Sequence, residues 1–282
     1  MARNQGTLGS RAKAEFWNQQ AAGWERWESA LQYLLGSVDP VLFRALELEP
    51  GHRVVDIGCG SGDPALAIAK WVGPRGHVLG IDLAGAMLRV ARSRARLLGL
   101  GNLTFRRGDM TRFRAGGARF DRVVSRFGLM FARDVPGVLE QLRSCLKPRG
   151  RIALVVWGPM EKNPAYSLRA EAVRPFLDQP PPDPEQIAHP MRFARRGVMA
   201  GLLKRAGFRE VEGEGVPVSA ICPSLDEYVE MQVETSLAET YVLLTRADQS
   251  RLKQRLRRRF RRFEDGAVVR VPGFAWVVSG RR

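Results

Sequence analysis

With 282 residues, 45% of them hydrophobic, the chain is long enough to bury a full core, which favours one globular domain with a sizeable insertion over two independent ones. Its best apolar run, residues 152–157, falls well short of the roughly 20 residues needed to span a bilayer. Its polar start lacks the apolar core of a secretion signal, and Cys59, Cys145 and Cys222 are too far apart for a disulfide framework or a zinc site, so a cytoplasmic protein is expected. The net charge of +16 is concentrated at the end, where residues 251–282 hold eleven basic and two acidic residues; the spread remainder reads as an arginine bias.

From residue 13 to 35, Trp17, Trp24, Trp27, Leu31 and Leu34 recur at helical spacing, which predicts an amphipathic helix interrupted near Gly23. A short helix over 40–46 leads to the turn Glu49-Pro50-Gly51. The organising stretch follows: Val54-Val55-Asp56-Ile57-Gly58-Cys59-Gly60-Ser61-Gly62-Asp63 reads as strand, glycine turn, then helix. Asp63 is expected to cap that helix and Pro64 to occupy its first position. The spacing rejects the dinucleotide fingerprint G-x-G-x-x-G. Its third glycine would fall on Asp63, a carboxylate close to where a pyrophosphate would have to sit.

His77-Val78-Leu79-Gly80-Ile81-Asp82 is a second strand ending in an acid. Residues 84–98 carry Met87, Val90, Ala91, Leu97 and Leu98 on one face of a crossover helix, with arginines on a solvated face. Strands over 103–106, 120–125 and 152–157 complete a pattern of alternating strands and helices, the signature of a parallel sheet wrapped on both sides.

Asp56, Gly58, Gly60 and Gly62 match motif I of the class I S-adenosylmethionine (SAM)-dependent methyltransferases, (D/E)-x-G-x-G-x-G, residue for residue. The resemblance continues through Asp82, through Gly108-Asp109-Met110 and through Leu146-Lys147-Pro148-Arg149-Gly150-Arg151, and covers residues 16–157 well. It implies a Rossmann-like α/β fold, a seven-stranded, mostly parallel sheet with an antiparallel edge hairpin and a helical cap. It divides the chain into a helical lid over 1–50, a SAM-binding core over 51–158, and a C-terminal half over 159–282. The cofactor residues it implies are Asp56, Gly58, Cys59, Gly60, Gly62, Asp82, Leu83, Asp109, Met110 and Ser125, with Asp82 on the ribose hydroxyls, Asp109 and Met110 bordering the adenine, and Trp17 and Trp24 as lid residues. Cys59 itself reads as a small filler in the turn rather than a nucleophile. No metal is implied.

In the same family the segment after the fourth strand holds the methyl acceptor. Here it reads Ser125-Arg126-Phe127-Gly128-Leu129-Met130-Phe131 and lacks the Asn/Asp-Pro-Pro-Tyr element of enzymes that methylate adenine or glutamine amides. Phe127, Met130 and Phe131 would instead form an apolar acceptor wall suited to a hydrophobic small molecule. Packing against the following helix is the alternative role for these three residues.

Beyond residue 159 the match thins. Residues 180–184 read as a stiff proline linker, 193–206 as a helix, and 210–221 and 267–278 as two closing strands. Between these strands, 224–263 is too long for a turn and reads as a helical cap over the acceptor site. Its last helix carries Leu252, Leu256, Phe260 and Phe263 on one stripe and arginines elsewhere, a solvated face or a docking surface for an anionic membrane or RNA. His189 is the single candidate for a catalytic base, because His52 and His77 lie away from the strand ends where ligands bind. The expected function is transfer of a methyl group from SAM to oxygen or carbon of a small, largely apolar acceptor, leaving S-adenosylhomocysteine (SAH). In this respect the chain is similar to the ubiquinone and menaquinone biosynthesis methyltransferases and related natural-product enzymes. RNA methylation, and a methyltransferase fold that uses SAM without consuming it, are the alternatives.

Overall fold

The computed structural model describes residues 9–117, 119–177 and 189–282; the expected linker at 180–184 lies outside them. Two helices, α1 (Ser10–Arg26) and α2 (Glu28–Gly36), lead to α3 (Asp39–Leu46). Next come β1 (Arg53–Ile57), α4 (Ala65–Val72), β2 (His77–Asp82), α5 (Gly85–Leu97) and β3 (Leu103–Arg107). Then β4 (Phe120–Arg126), α6 (Val135–Cys145) and β5 (Leu146–Trp157) complete the parallel part, with α7 (Pro164–Val173) and α8 (Val198–Arg205) following. The remainder is β6 (Arg209–Cys222), α9 (Leu225–Glu234), α10 (Ala238–Val242), α11 (Arg246–Phe260), β7 (Glu264–Asp265) and β8 (Val268–Arg281).

The strands form one sheet in the order β3-β2-β1-β4-β5-β8-β6, parallel from β3 to β5 and antiparallel where β8 enters between β5 and β6. This is the expected seven-stranded Rossmann-like sheet, with the two-residue β7 as an added pairing on β8. Because the central strands are covered on both faces, their middles are mainly apolar: Val54, Val55, Ile57, Val123, Val124 and residues 152–156 are fully buried. A second apolar cluster belongs to the cap, where Tyr228, Val229, Leu252, Leu256 and Phe260 pack on Leu168 and Ala172 of α7 and on Val269 and Val271 of β8.

That cluster decides what α11 does. Burial of Leu252, Leu256 and Phe260 supplies roughly 5–8 kcal/mol of transfer free energy. The basic face is largely spoken for, with Lys253 on Glu230 (2.7 Å), Arg251 on Asp248 (3.0 Å), Arg259 on Glu171 (3.3 Å) and Arg257 on Asp226. Such exposed pairs contribute well under 1 kcal/mol each, so the helix is an anchor for the cap, held by its apolar stripe.

Several local expectations are corrected. The first helix breaks at Trp27, not at Gly23. Gly23 lies within α1 because a Cβ there would collide with the Glu234 carbonyl oxygen of α9, while Glu234 itself accepts from Arg26 (2.7 Å) and the Trp27 indole (2.7 Å). The segment around the end of α1 and the end of α9 therefore touch. Asp63 does not cap α4, which begins at Ala65. Its carboxylate takes the Arg94 guanidinium through two bonds of 2.7 and 3.0 Å, a charged fork that outcompetes a neutral N–H. Arg94, which also reaches Glu28 (2.7 Å), is thus a tie between helices rather than part of a solvated face. Leu97 and Leu98 are exposed, since the apolar stripe of α5 ends at Ala95. The helix expected over 193–206 begins only at Val198, after Gly197 at φ +84.

Candidate functional site

A cavity of about 810 Å³ lies across the carboxyl ends of the strands. Its floor takes Asp82 from the end of β2, the glycine turn after β1, Phe127 after β4, Trp157 at the end of β5 and Val271 to Gly273 in β8. Five neighbouring strands at about 4.8 Å each span close to 19 Å, room for a nucleoside-sized ligand and a second small molecule end to end. The roof is α1 with Trp17 and Trp24 on one side and α9 with Tyr228, Met231 and Gln232 on the other.

At the β1–β2 end the chain builds a cradle from backbone. Gly58 and Gly60 adopt φ +74 and +52, open to glycine and costly for other residues. The N–H groups of Gly58 and Cys59 both donate to the Ile81 carbonyl (2.8 and 3.1 Å). Gly60 N–H donates to Asp82 Oδ2 (2.9 Å) and Ala84 N–H to Oδ1 (2.8 Å), so each carboxylate oxygen is fixed and keeps acceptor capacity toward the cavity. Burial raises the Asp82 carboxyl above its ordinary value, and these N–H donors restrain the rise. A Cβ at Gly60 would meet nothing of the protein, only open cavity. Gly62, absent from the lining, is glycine because Leu66 and Ala91 close in at 3.2 Å.

Asp109 also lines the cavity, and its carboxylate accepts from Thr111 N (2.9 Å), Thr111 Oγ1 (2.7 Å) and the Ser10 hydroxyl of the lid. Burial alone would raise its pKa; these donors bring it below the ordinary value. Cys59, Leu83 and Met110 join the lining. Burial pushes the Cys59 thiol well up, which suits a filler and not a nucleophile. Asp56 and Ser125 lie beneath, outside the lining. The Ser125 hydroxyl donates to Ile57 O (2.7 Å), and both Asp56 oxygens are buried without a hydrogen-bond partner among the described residues, which raises that carboxyl well above its ordinary value.

Toward β5 the cavity turns aromatic. Phe127 stacks on Trp157 with centroids 4.3 Å apart. Phe127 sits at φ +59, an unusual conformation for a bulky residue and one that marks a site the surrounding structure over-determines. Phe131 meets Trp17 edge-on at 5.2 Å, which joins the wall to the lid, and Met130 is buried with its surface on the cavity. His189 is not brought to the lining. Its neighbour Pro190 is there, while His189 Nδ1 accepts the Met191 N–H (3.1 Å) within the chain's own turn. Residues without any local motif to mark them also face the cavity, among them Tyr166 and Arg169 of α7, and Gln232 of α9. Arg126 lines it too, bound through two 3.0 Å contacts to Asp39.

The donor set fits SAM. A fixed carboxylate for a vicinal diol, a glycine turn with open space where a side chain would stand, and the buried Trp24 indole N–H with no acceptor among the described residues all suit a polar, phosphate-free nucleoside. Asp82, Gly58, Gly60, Leu83, Asp109 and Met110 would hold it, and the group would supply an electrophilic methyl on a sulfonium.

Fold and site together define a class I methyltransferase. The methyltransferase-domain family matches residues 48–172. Nocamycin O-methyltransferase of Saccharothrix syringae is 32% identical over 222 residues, 74% of this chain and 75% of that protein. A 2-phytyl-1,4-naphtoquinone methyltransferase of Synechococcus elongatus is 42% identical over 108 residues, 38% of this chain and just under half (46%) of that protein's length. A methyltransferase structure from Bacillus halodurans superposes with a TM-score of 0.57 at 20% identity, covering 86% of this chain and 97% of that one, and shares the fold. The chain belongs to the class I SAM-dependent methyltransferases that act on small molecules. Among the described residues no helix is long and apolar enough to cross a membrane, and no cluster could hold a metal ion.

Proposed function

We propose that this enzyme transfers a methyl group from SAM to oxygen or carbon of a small, largely apolar acceptor of the quinone, polyketide or isoprenoid-like kind. The observation that carries this reading is the continuity of the cavity. It runs from Asp82 and the glycine turn to the stacked Phe127–Trp157 pair, and a helical lid and cap cover it. Displacement at a sulfonium methyl needs alignment and a dry site more than it needs a base. Phe127, Phe131 and Trp157 supply the flat apolar walls that orient a ring, and Trp17 and α9 exclude water. The wide match to nocamycin O-methyltransferase supports an oxygen acceptor.

The packing of α11 favours this reading over RNA methylation: its apolar stripe is buried in the cap, and three of the seven arginines between residues 251 and 262 pair with Glu171, Asp226 and Asp248. The experiment is incubation with methyl-labelled SAM and an extract of the source cells, then partition between organic solvent and nucleic acid. Label in the organic phase is expected. Label confined to nucleic acid, or substrate converted with SAM unspent, would overturn the proposal.

A further inference from the structure

The acceptor end of the cavity sets aromatic walls beside a few neutral polar groups, Asn163, Gln232 and Thr235, and one cation with no carboxylate partner among the described residues. Arg169 of α7 lies over the Tyr166 ring at 4.4 Å and donates from Nη1 to Gln232 Oε1 (2.7 Å). Its remaining contact is a hydrogen bond with Tyr166, whose phenol burial pushes up to about 12. All these partners are neutral, and among the described residues no carboxylate pairs with it. Other enclosed cations are saturated: Arg94 has Asp63 and Glu28, Arg126 has Asp39, Arg151 has Glu47, and Arg122, which lies away from the cavity, spends Nε, Nη1 and Nη2 on the carbonyls of Leu46, Glu47 and Asp121. Of the other cations on the cavity, Lys13 and Arg112 lie in the field of Asp109 under the lid, and Arg133 is exposed. A guanidinium presents five donors in a fixed fork. Here two are used, the fork is braced by a ring and an amide from two different helices, and it opens on the same space as Trp157 and Phe127.

Building on the methyltransferase reading, we infer that Arg169 binds the ionised oxygen of the acceptor, so that the natural acceptor is a flat apolar molecule bearing one acidic oxygen group, a carboxylate or an ionised enol. Tyr166 and Gln232 are positioning residues for the guanidinium. A fixed cation beside the acceptor oxygen also favours its deprotonated form. This accounts for a cavity to which no histidine is brought: the acceptor arrives as its own nucleophile.

The test is calorimetric binding to the full chain. SAH is titrated first, then 2-hydroxy-1,4-naphthoquinone, ionised at neutral pH, against 2-methyl-1,4-naphthoquinone, its neutral counterpart of similar size. A second pair, 2-naphthoate against 2-naphthamide, separates carboxylate from enolate recognition. The wild type is expected to prefer the anion of at least one pair by tenfold or more. Arg169→Met should bring that preference within twofold, and Arg169→Lys, which keeps the charge and guards against a folding artefact, should retain threefold or more. SAH affinity should stay unchanged in both variants. A wild type with no preference, including one that binds none of the four probes, would overturn the inference, as would a preference that survives Arg169→Met. Failure of SAH to bind the wild type strikes the cofactor assignment instead, and the same titrations without SAH still read the arginine.

Discussion

Replacing Asp82 with alanine tests the cofactor half of the site most directly. In the structure each carboxylate oxygen already accepts one backbone N–H, from Gly60 at 2.9 Å and Ala84 at 2.8 Å, and so stands at a fixed place with one acceptor direction left. Two charge-assisted hydrogen bonds to a diol, at about 1.5–2 kcal/mol each, set the loss at roughly 3–4 kcal/mol, a Kd weakened roughly 100- to 1,000-fold. Asp82→Asn, which keeps one acceptor and loses the charge, should fall between the two. A separate stability cost of about 1–2 kcal/mol is expected, because the Gly60 and Ala84 N–H groups lose their partner; it should lower Tm by a few degrees. Calorimetric titration of SAH into variants whose far-ultraviolet spectra match the wild type measures the first effect, and thermal melts measure the second. A folded Asp82→Ala protein whose SAH affinity lies within threefold of wild type would show that this carboxylate does not hold the ribose.

Gly60→Val should abolish SAH binding, since its side chain would project into cavity space from a backbone at φ +52; a folded variant that still binds would remove that turn from the site. Gly23→Ala should cost about 1–3 kcal/mol by forcing α1 off the Glu234 carbonyl, and should weaken SAH binding along with Tm. An unchanged melt would mean the two helices are not in contact. Burial holds the Asp56 carboxyl well above 3.8 in the folded chain, so its contribution to stability is full below about pH 4 and is lost as pH rises through the folded value. Asp56→Asn should therefore stabilise the ligand-free protein at pH 8 more than at pH 5, by roughly 1–3 kcal/mol at the higher pH, read from denaturant melts; equal stabilisation at both would refute the assignment.

The parts of this fold that were legible in the sequence are those written locally. The β1 strand and its glycine turn and the acid closing β2 announce themselves within ten residues. The place of Phe127 on the cavity is readable because it follows a strand end directly. Those of Arg169 and Gln232 are not, because they come from helices some sixty residues apart and only the docking of α7 on α9 turns one arginine among many into part of a site. Asp63 was misread for the same reason. A capping acid next to proline is a local pattern, but Arg94, thirty-one residues on, offers it a charged fork. Gly23 looked like an interruption because a sequence shows a missing side chain and not the carbonyl that occupies its place.

The position of β8 has a consequence for how the protein is made. Arg209–Cys222 pairs in the sheet with β8 alone, and β8 is also the strand that closes the edge of β5. Both edges therefore stay open while the ribosome adds the whole cap and then the last fourteen-residue strand. At roughly 5–20 residues per second that interval lasts several seconds, during which two strand edges, one of them β5 with its apolar run over residues 152–157, are exposed to other chains. Nascent chains stalled before residue 268 should accordingly be caught by chaperones that bind extended apolar segments, whereas chains in which β8 has emerged and paired should escape them.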